Sequence, residues 1–202
     1  DAYNEGEADF HQIVADMANI PRSQAKTINL GLFYGMGKNK LQAELGISKE
    51  DAEDLFRTYH DKVPFVKMLM ESVSRRAQDR GYVRTLLGRR CRFPLWEPNQ
   101  FGIHKPLKHE EALLEHGPGI RRAFTYKALN KLIQGSAADM TKKAMVELHK
   151  EGITPHIQVH DELDISVDGN ADKIKEIMET AVELEVDNKV DYESGPNWGT
   201  IK

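Results

Sequence analysis

The stretch from Pro21 to Gly37, PRSQAKTINLGLFYGMG, constrains this chain more than any other. It reads as a single helix, with a proline before its first turn and glycines at the end where they best serve as caps. The helix starts with cations. All nineteen residues from Arg22 to Lys40 lack an acidic side chain, although a helix N-terminus carries partial positive charge and unsatisfied N–H groups that favour anions. Arg22, Lys26, Leu30 and Phe33 fall within about 80° on a helical wheel, with Tyr34 at the border of that face. A polyphosphate followed by a flat base matches such a face. An ordinary amphipathic helix whose cations face water has the same spacing, so the helix alone does not decide.

At 202 residues and 40% hydrophobic content, the chain can bury a core in one or two domains. No apolar run approaches the roughly 20 residues needed to span a bilayer, and the acidic start DAYNEGEAD is unlike a secretory signal. The expectation is an intracellular protein with no membrane partner. The single cysteine, Cys91, has no partner for an intrachain disulfide and no Cys or His at metal-ligand spacing, so it reads as a packing residue. A net charge of −4 is not that of a dedicated nucleic-acid binder. Yet seven arginines lie between Arg75 and Arg92 (75, 76, 80, 84, 89, 90 and 92) against one acid, Asp79. This is either a local basic patch or a solvated charged face.

The pattern along the chain is mostly helical. A first helix is predicted from about Glu7 to Ala18, then the helix from Arg22, then one capped by Ser48 with Glu50 and Asp51 in its first turn. Pro64 ends that helix, and another follows from Phe65 to about Arg80, stopped by Gly81. The segment GYVRTLLGRRCRFP shifts to short extended pieces around Gly88. From Pro94 to Gly119 four prolines surround HEEALLEH, which predicts an irregular insertion (core about 97–119) with one or two helical turns. A long helix is predicted from Ile120 to Lys150, its buried face marked by Leu129, Leu132, Ile133, Ala137 and Met140. HIQVHDELDISV alternates apolar and polar residues and predicts a β-hairpin with Asp161 and Glu162 at or near the turn. A final helix from Asn170 to about Glu185 and a short strand near Val190 complete the expectation.

Asp161 and Glu162, preceded by His160, are adjacent carboxylates whose repulsion is relieved by a cation or by exposure. Magnesium suits them, since it takes one or two protein carboxylates and fills its other sites with water and substrate phosphate. One such carboxylate is half of a two-metal phosphoryl-transfer site. Asn130 and Gln134 stand at i and i+4 on the long helix, one turn after Tyr126. Amide donors there can sense minor-groove acceptors common to every base pair. Polar turn residues, and amides that cap neighbouring backbone or face solvent, show the same patterns.

Taken together, Arg22-x3-Lys26-x7-Tyr34-Gly35, GYVRTLLGRR, LNKLIQGSAAD (129–139) and QVHDEL (158–163), in that order, resemble the fingers and C-terminal palm motifs of family A DNA polymerases. The resemblance extends over essentially the whole chain, including the ending GPNW (195–198). It implies an α+β fold: a mostly helical fingers subdomain over 1–120, with 1–11 leading in from the palm, and over 121–202 part of a palm with an antiparallel β-hairpin. It further implies template-directed transfer of dNMP from a dNTP to a primer 3′ hydroxyl by two Mg2+ ions, in the cytoplasm of a bacterial or phage-infected cell.

Residue by residue, the resemblance implies that His11, Arg22 and Lys26 contact the dNTP triphosphate and that Tyr34 moves as the fingers close over the nascent base pair. Gly35 lets the template base approach, Arg89 and Arg90 belong to the DNA-binding set, and Asn130 and Gln134 probe the minor groove. His160 lies near the primer terminus. Asp161 is the metal ligand, Glu162 its supporting neighbour, and Lys26 also serves catalysis. Two positions depart from the pattern. Leu30 stands where the family has Phe or Tyr against the nucleotide sugar, and Tyr126 replaces an arginine one turn before Asn130. The second catalytic aspartate belongs to an upstream DYSQIELR-like strand, so the expectation is a fragment or one part of a split enzyme. It would be inactive without the missing N-terminal portion, which carries the thumb, the rest of the palm and any exonuclease. A single-subunit RNA polymerase shares the Arg-x3-Lys-x7-Tyr-Gly helix but reads His-Asp-Ser at the catalytic turn, and Glu162 argues for DNA. A non-catalytic nucleotide- or DNA-binding module is the third alternative.

Overall fold

Local signals account for most helix boundaries in the computed structural model, which describes residues 10–18, 20–62, 64–100, 102–166 and 168–200. The predicted start of the first helix at Glu7 and the hairpin residue Val167 lie outside these. Pro21 separates α1 (Phe10–Ala18) from α2 (Arg22–Phe33), and its carbonyl accepts the Gln24 and Ala25 N–H groups at 3.0 Å each. α2 ends at Tyr34, and Gly35 turns the chain away at φ +87°, a conformation that side chains with a Cβ rarely adopt. A further helix, α3 (Lys38–Leu45), precedes the one predicted from Ser48. The latter is α4 (Lys49–Lys62), where Ser48 Oγ accepts the Asp51 N–H at 3.0 Å. Pro64 opens α5 (Pro64–Arg80), in the first turn where its missing N–H costs nothing.

The residues at 10–133 form one compact unit and those at 134–200 another. In the first, Val14 and Ala15 of α1, Ala25, Ile28 and Leu32 of α2, Leu41 of α3 and Tyr59 of α4 make one core cluster. Full burial of side chains such as Ile28 and Leu32 contributes about 2 kcal/mol each. Because Ala25, Ile28 and Leu32 face that core, Arg22, Lys26 and Leu30 are left on the exposed side of α2.

A second cluster in the same unit joins Val73 and Ala77 of α5 to Val83, Phe93, Ala128 and Leu129. It seats the hairpin of β1 (Tyr82–Arg84) and β2 (Arg90–Arg92), in which Tyr82 pairs with Arg92 and Arg84 with Arg90. Strand alternation turns Val83 inward and sends Tyr82, Arg84, Arg90 and Arg92 to the other face. Cys91 packs against this cluster, as expected of a packing residue.

Two expectations need correcting here. The insertion holds the expected helical turns as α6 (His109–His116), but it is more ordered than predicted, because β3 (Trp96–Pro98) pairs antiparallel with β4 (Ile120–Arg122) on either side of that helix in sequence. The long helix does not start at Ile120. Its predicted first residues are β4, followed by Phe124 at φ +61° and a short 3-10 turn, and α7 (Ala128–Lys150) begins only then. The reason is tertiary. Gln78 of α5 accepts the Arg122 N–H at 3.0 Å and donates to its carbonyl at 2.8 Å, holding that residue extended. The Arg122 guanidinium donates to the carbonyls of Gln78 and Phe93 and stacks 4.5 Å from the Trp96 ring centre.

In the second unit, β5 (Ile157–Val159) and β6 (Glu162–Asp164) form the predicted hairpin. α8 (Ala171–Thr180) is shorter than expected, and the segment around Val190 is not a strand. Val190 instead donates its N–H to Glu179 Oε1 at 3.0 Å. Ala144 and Leu148 of α7 and Ile174 of α8 are buried, and Lys173 of α8 pairs with Glu151 at 2.5 Å.

Candidate active site residues

In the first unit one set of candidate residues lies on α2, just beyond its end and on the adjacent α1. No acid stands in its first turn and no side chain caps its N-terminus. Arg22, Lys26 and Leu30 are exposed along one side. Tyr34, at the C-terminal end, meets the Phe33 ring edge-on at 5.6 Å. Gly35 is exposed, and a Cβ built on it would lie 3.2 Å from Met70 Sδ, so a side chain here meets both backbone strain and crowding. His11 sits on α1, where its Nδ1 accepts a hydrogen bond from Asn29 Nδ2 of α2 at 3.1 Å.

Arg89 and Arg90 are exposed on the β1–β2 hairpin. The Arg90 guanidinium lies 4.8 Å from the Tyr82 ring centre and that of Arg84 5.8 Å from it. Arg84 and Arg90 are thus cross-strand partners of like charge, an unfavourable pairing that stacking on the ring partly offsets and an anion would relieve. On α7, Asn130 is exposed and one turn after the exposed Tyr126, while Lys131 is drawn back over the Phe93 ring at 4.5 Å and donates to Arg92 O. Lys131 therefore anchors the hairpin to α7. Gln134, on the same helix four residues after Asn130, falls in the second unit.

In the second unit the hairpin turn consists of His160 and Asp161, since Val159 pairs with Glu162. His160 takes φ +53°, and among non-glycine residues such a value costs on the order of 1 kcal/mol. A positive φ at the first loop position suits the right-handed twist of a two-residue hairpin. Gln158 Nε2 donates to the His160 carbonyl at 2.6 Å and steadies the turn. Asp161 stands exposed at the tip. Glu162 is not a turn residue: it opens β6, and Trp198 Nε1 donates to its Oε1 at 3.4 Å. Sequence reasoning marked the GPNW ending but assigned Trp198 no partner, because nothing local links residues 36 positions apart.

The donor set bears on a metal. Among the described residues no three His, Cys, Asp or Glu side chains cluster to cage an ion. An exposed turn carboxylate fits the sparse protein ligation that magnesium accepts when substrate phosphate completes its shell. It does not fit zinc or another ion that needs three or four protein ligands. No helix among the described residues is long and apolar enough to cross a membrane.

A cation-headed helix and an exposed carboxylate at a hairpin turn stand here in a fold that a solved structure shares. The POL domain of Pol1 from M. smegmatis, solved in complex with DNA primer-template and dNTP, superposes with a TM-score of 0.68 at 30% identity, over 92% of this chain and 33% of that one. The sequence profile of DNA polymerase family A matches residues 1–200, and the chain belongs to that family. Among its relatives, a DNA-directed DNA polymerase of Pseudomonas phage M6 is 35% identical over 97% of this chain. DNA polymerase I of Lactococcus lactis subsp. cremoris is 34% identical over all of it, and that of Geobacillus stearothermophilus 34% over 96%. The chain spans about a third or less of the length of each, 32%, 23% and 21%.

Proposed function

We propose that this chain supplies the dNTP-binding fingers and one catalytic carboxylate of a template-directed DNA polymerase. The observation that carries the reading is the exposed cationic side of α2, whose own first turn holds no acid, with Arg22 and Lys26 at its start and Leu30 and Tyr34 beyond them. A triphosphate accounts for cations at a helix N-terminus, where they otherwise oppose the macrodipole. Arg22, Lys26 and His11 bind and orient the phosphates, and Tyr34 and Gly35 border the nascent pair. Asn130 and Gln134 probe the minor groove, while Arg89 and Arg90 of the basic hairpin hold DNA phosphates.

Asp161 would hold magnesium, with the second carboxylate supplied from outside residues 1–202 and Glu162 supporting from β6. Magnesium held there would supply charge neutralisation at the transferred phosphate and activation of the primer 3′ hydroxyl. Lys26 stabilises the charge that develops toward the leaving pyrophosphate. His160, held at positive φ, meets the primer terminus. Positioning and electrostatics supply most of the acceleration. Residues 1–120 act as fingers and 121–202 as palm, with thumb and remaining palm as partners.

The test is reconstitution. This chain is mixed with a polypeptide that carries the upstream palm strand, on primed template with magnesium and nucleotides. Extension with dNTPs that disappears in Asp161→Ala supports the reading. Extension that requires ribonucleotides would make it an RNA polymerase part, and stable assembly without extension would leave a non-catalytic nucleic-acid module.

A further inference from the structure

His11 takes part in a chain of hydrogen bonds that reaches into the core of the first unit. Tyr59 OH of α4 donates to Asn29 Oδ1 of α2 at 3.0 Å, and Asn29 Nδ2 donates to His11 Nδ1 of α1 at 3.1 Å. Tyr59 is 3% exposed and packs among Val14, Ala25 and Ile28. The buried end sets the direction of the whole chain. With the Asn29 amide turned over, the phenol O–H would face an NH2 group and lose its acceptor, a cost of about 1–3 kcal/mol for a buried donor. With the amide oxygen committed to Tyr59, its NH2 group faces the imidazole, and Nδ1 must be the unprotonated, accepting nitrogen.

We propose that Asn29 and Tyr59 are positioning residues that hold His11 as the neutral tautomer with its proton on Nε2, the form able to donate to a phosphate oxygen of the incoming nucleotide. The inference rests on the reading of His11 as a triphosphate contact. Asn29 lies three residues after Lys26 on α2, so the helix that carries the phosphate cation also orients the imidazole from the adjacent helix. Burial pushes the Tyr59 hydroxyl up to about 12, which keeps the phenol a donor throughout the range where polymerases work. Nothing in the sequence marks this relay, since its members stand 18 and 30 positions apart.

Two measurements on the polymerase reconstituted as above decide it. Histidine-selective 15N labelling, with the His11 resonance assigned through His11→Gln, reads the tautomer directly at neutral pH. A single Nε2–H form in the wild type that becomes a mixture in Asn29→Leu and Tyr59→Phe is the expected result, and an Nδ1–H or mixed wild-type form overturns the proposal whatever the variants do. The dissociation constant for dATP opposite a templating T, on dideoxy-terminated primer, is the second readout. Asn29→Leu is expected to weaken it about fivefold, in line with one hydrogen bond, and the Asn29→Leu, His11→Gln double variant to be no weaker than His11→Gln alone. If His11→Gln weakens binding while Asn29→Leu and Tyr59→Phe do not, the phosphate contact stands and the positioning role is overturned. If His11→Gln leaves the constant unchanged, the phosphate contact itself falls, and the proposal with it.

Discussion

Trp198 donates its indole N–H to Glu162 Oε1 at 3.4 Å, which ties the 3-10 turn Trp198–Thr200 to the residue after the candidate metal ligand. The bond is long and Trp198 is 53% exposed, so its direct contribution is about 1 kcal/mol or less. Its effect is on where Glu162, and through β6 the neighbouring Asp161, can stand. Trp198→Phe keeps an aromatic ring and removes the donor. In single-turnover primer extension it is expected to lower the rate two- to fivefold, on the order of 1 kcal/mol or less, with dNTP affinity unchanged. A change in affinity with an unchanged rate would refute this division of labour.

Lys26 reaches from the first turns of α2 with no acid on its own helix start. Lys26→Ala is expected to reduce kcat/KM for dNTPs by about 100-fold, comparable to removing one charge-assisted contact in a phosphoryl-transfer site. Lys26→Arg should restore part of that loss, because charge is kept but the point-like ammonium is not. Steady-state kinetics over a dNTP series checks both, and unchanged constants for Lys26→Ala would remove the phosphate assignment.

Leu30 is 43% exposed on the cationic side of α2, so a larger ring can be accommodated there without disturbing the core. Leucine offers apolar contact but no ring face or hydroxyl. Leu30→Tyr is expected to raise dideoxynucleotide incorporation relative to dNTP by tenfold or more, about 1.4 kcal/mol of altered discrimination. A competition assay in which the leucine form already accepts dideoxynucleotides as readily as the tyrosine form would sink this expectation.

Tyr59 carries a pH dependence of known sign. Its hydroxyl is raised by burial to about 12, from 10.0 in the unfolded chain. Below pH 10 both states are neutral and its contribution to stability is complete. As the pH rises from 10 to 12 only the unfolded state ionises, and stability falls. Urea unfolding of wild type and Tyr59→Phe at pH 8 and pH 11 should show the wild type losing more stability over that interval. At pH 8 the variant should already be weaker by about 1 kcal/mol, from the unpaired Asn29 amide. Equal slopes for the two proteins would count against the buried phenol.

Most helix ends were legible because their signals are local. Ser48 caps by bonding a backbone N–H three residues away, Pro64 falls in a first turn, and Gly35 and Gly81 take positive φ at φ +87° and +74°. The turn at His160–Asp161 was readable to within one residue from alternation, but the register that sets Val159 opposite Glu162 came only with the structure. The start of α7 was not legible, because Ile120–Arg122 is helix-compatible and becomes a strand only when Trp96–Pro98 pairs with it and Gln78 takes both backbone groups of Arg122. The order of the insertion was hidden for the same reason.

What the sequence determined by itself is the chemistry on offer: a cation-headed helix without acids, a basic hairpin and a carboxylate turn, each readable because charge, periodicity and capping act within a few residues. The tertiary structure decided how those groups are held. Tyr59 and Asn29 set the orientation of His11, Lys131 and Arg122 anchor the strands that carry Arg90 and Trp96, and Trp198 constrains Glu162. Hydrogen bonds of that kind join residues tens of positions apart, and their geometry exists only after buried cores have fixed the distances between helices.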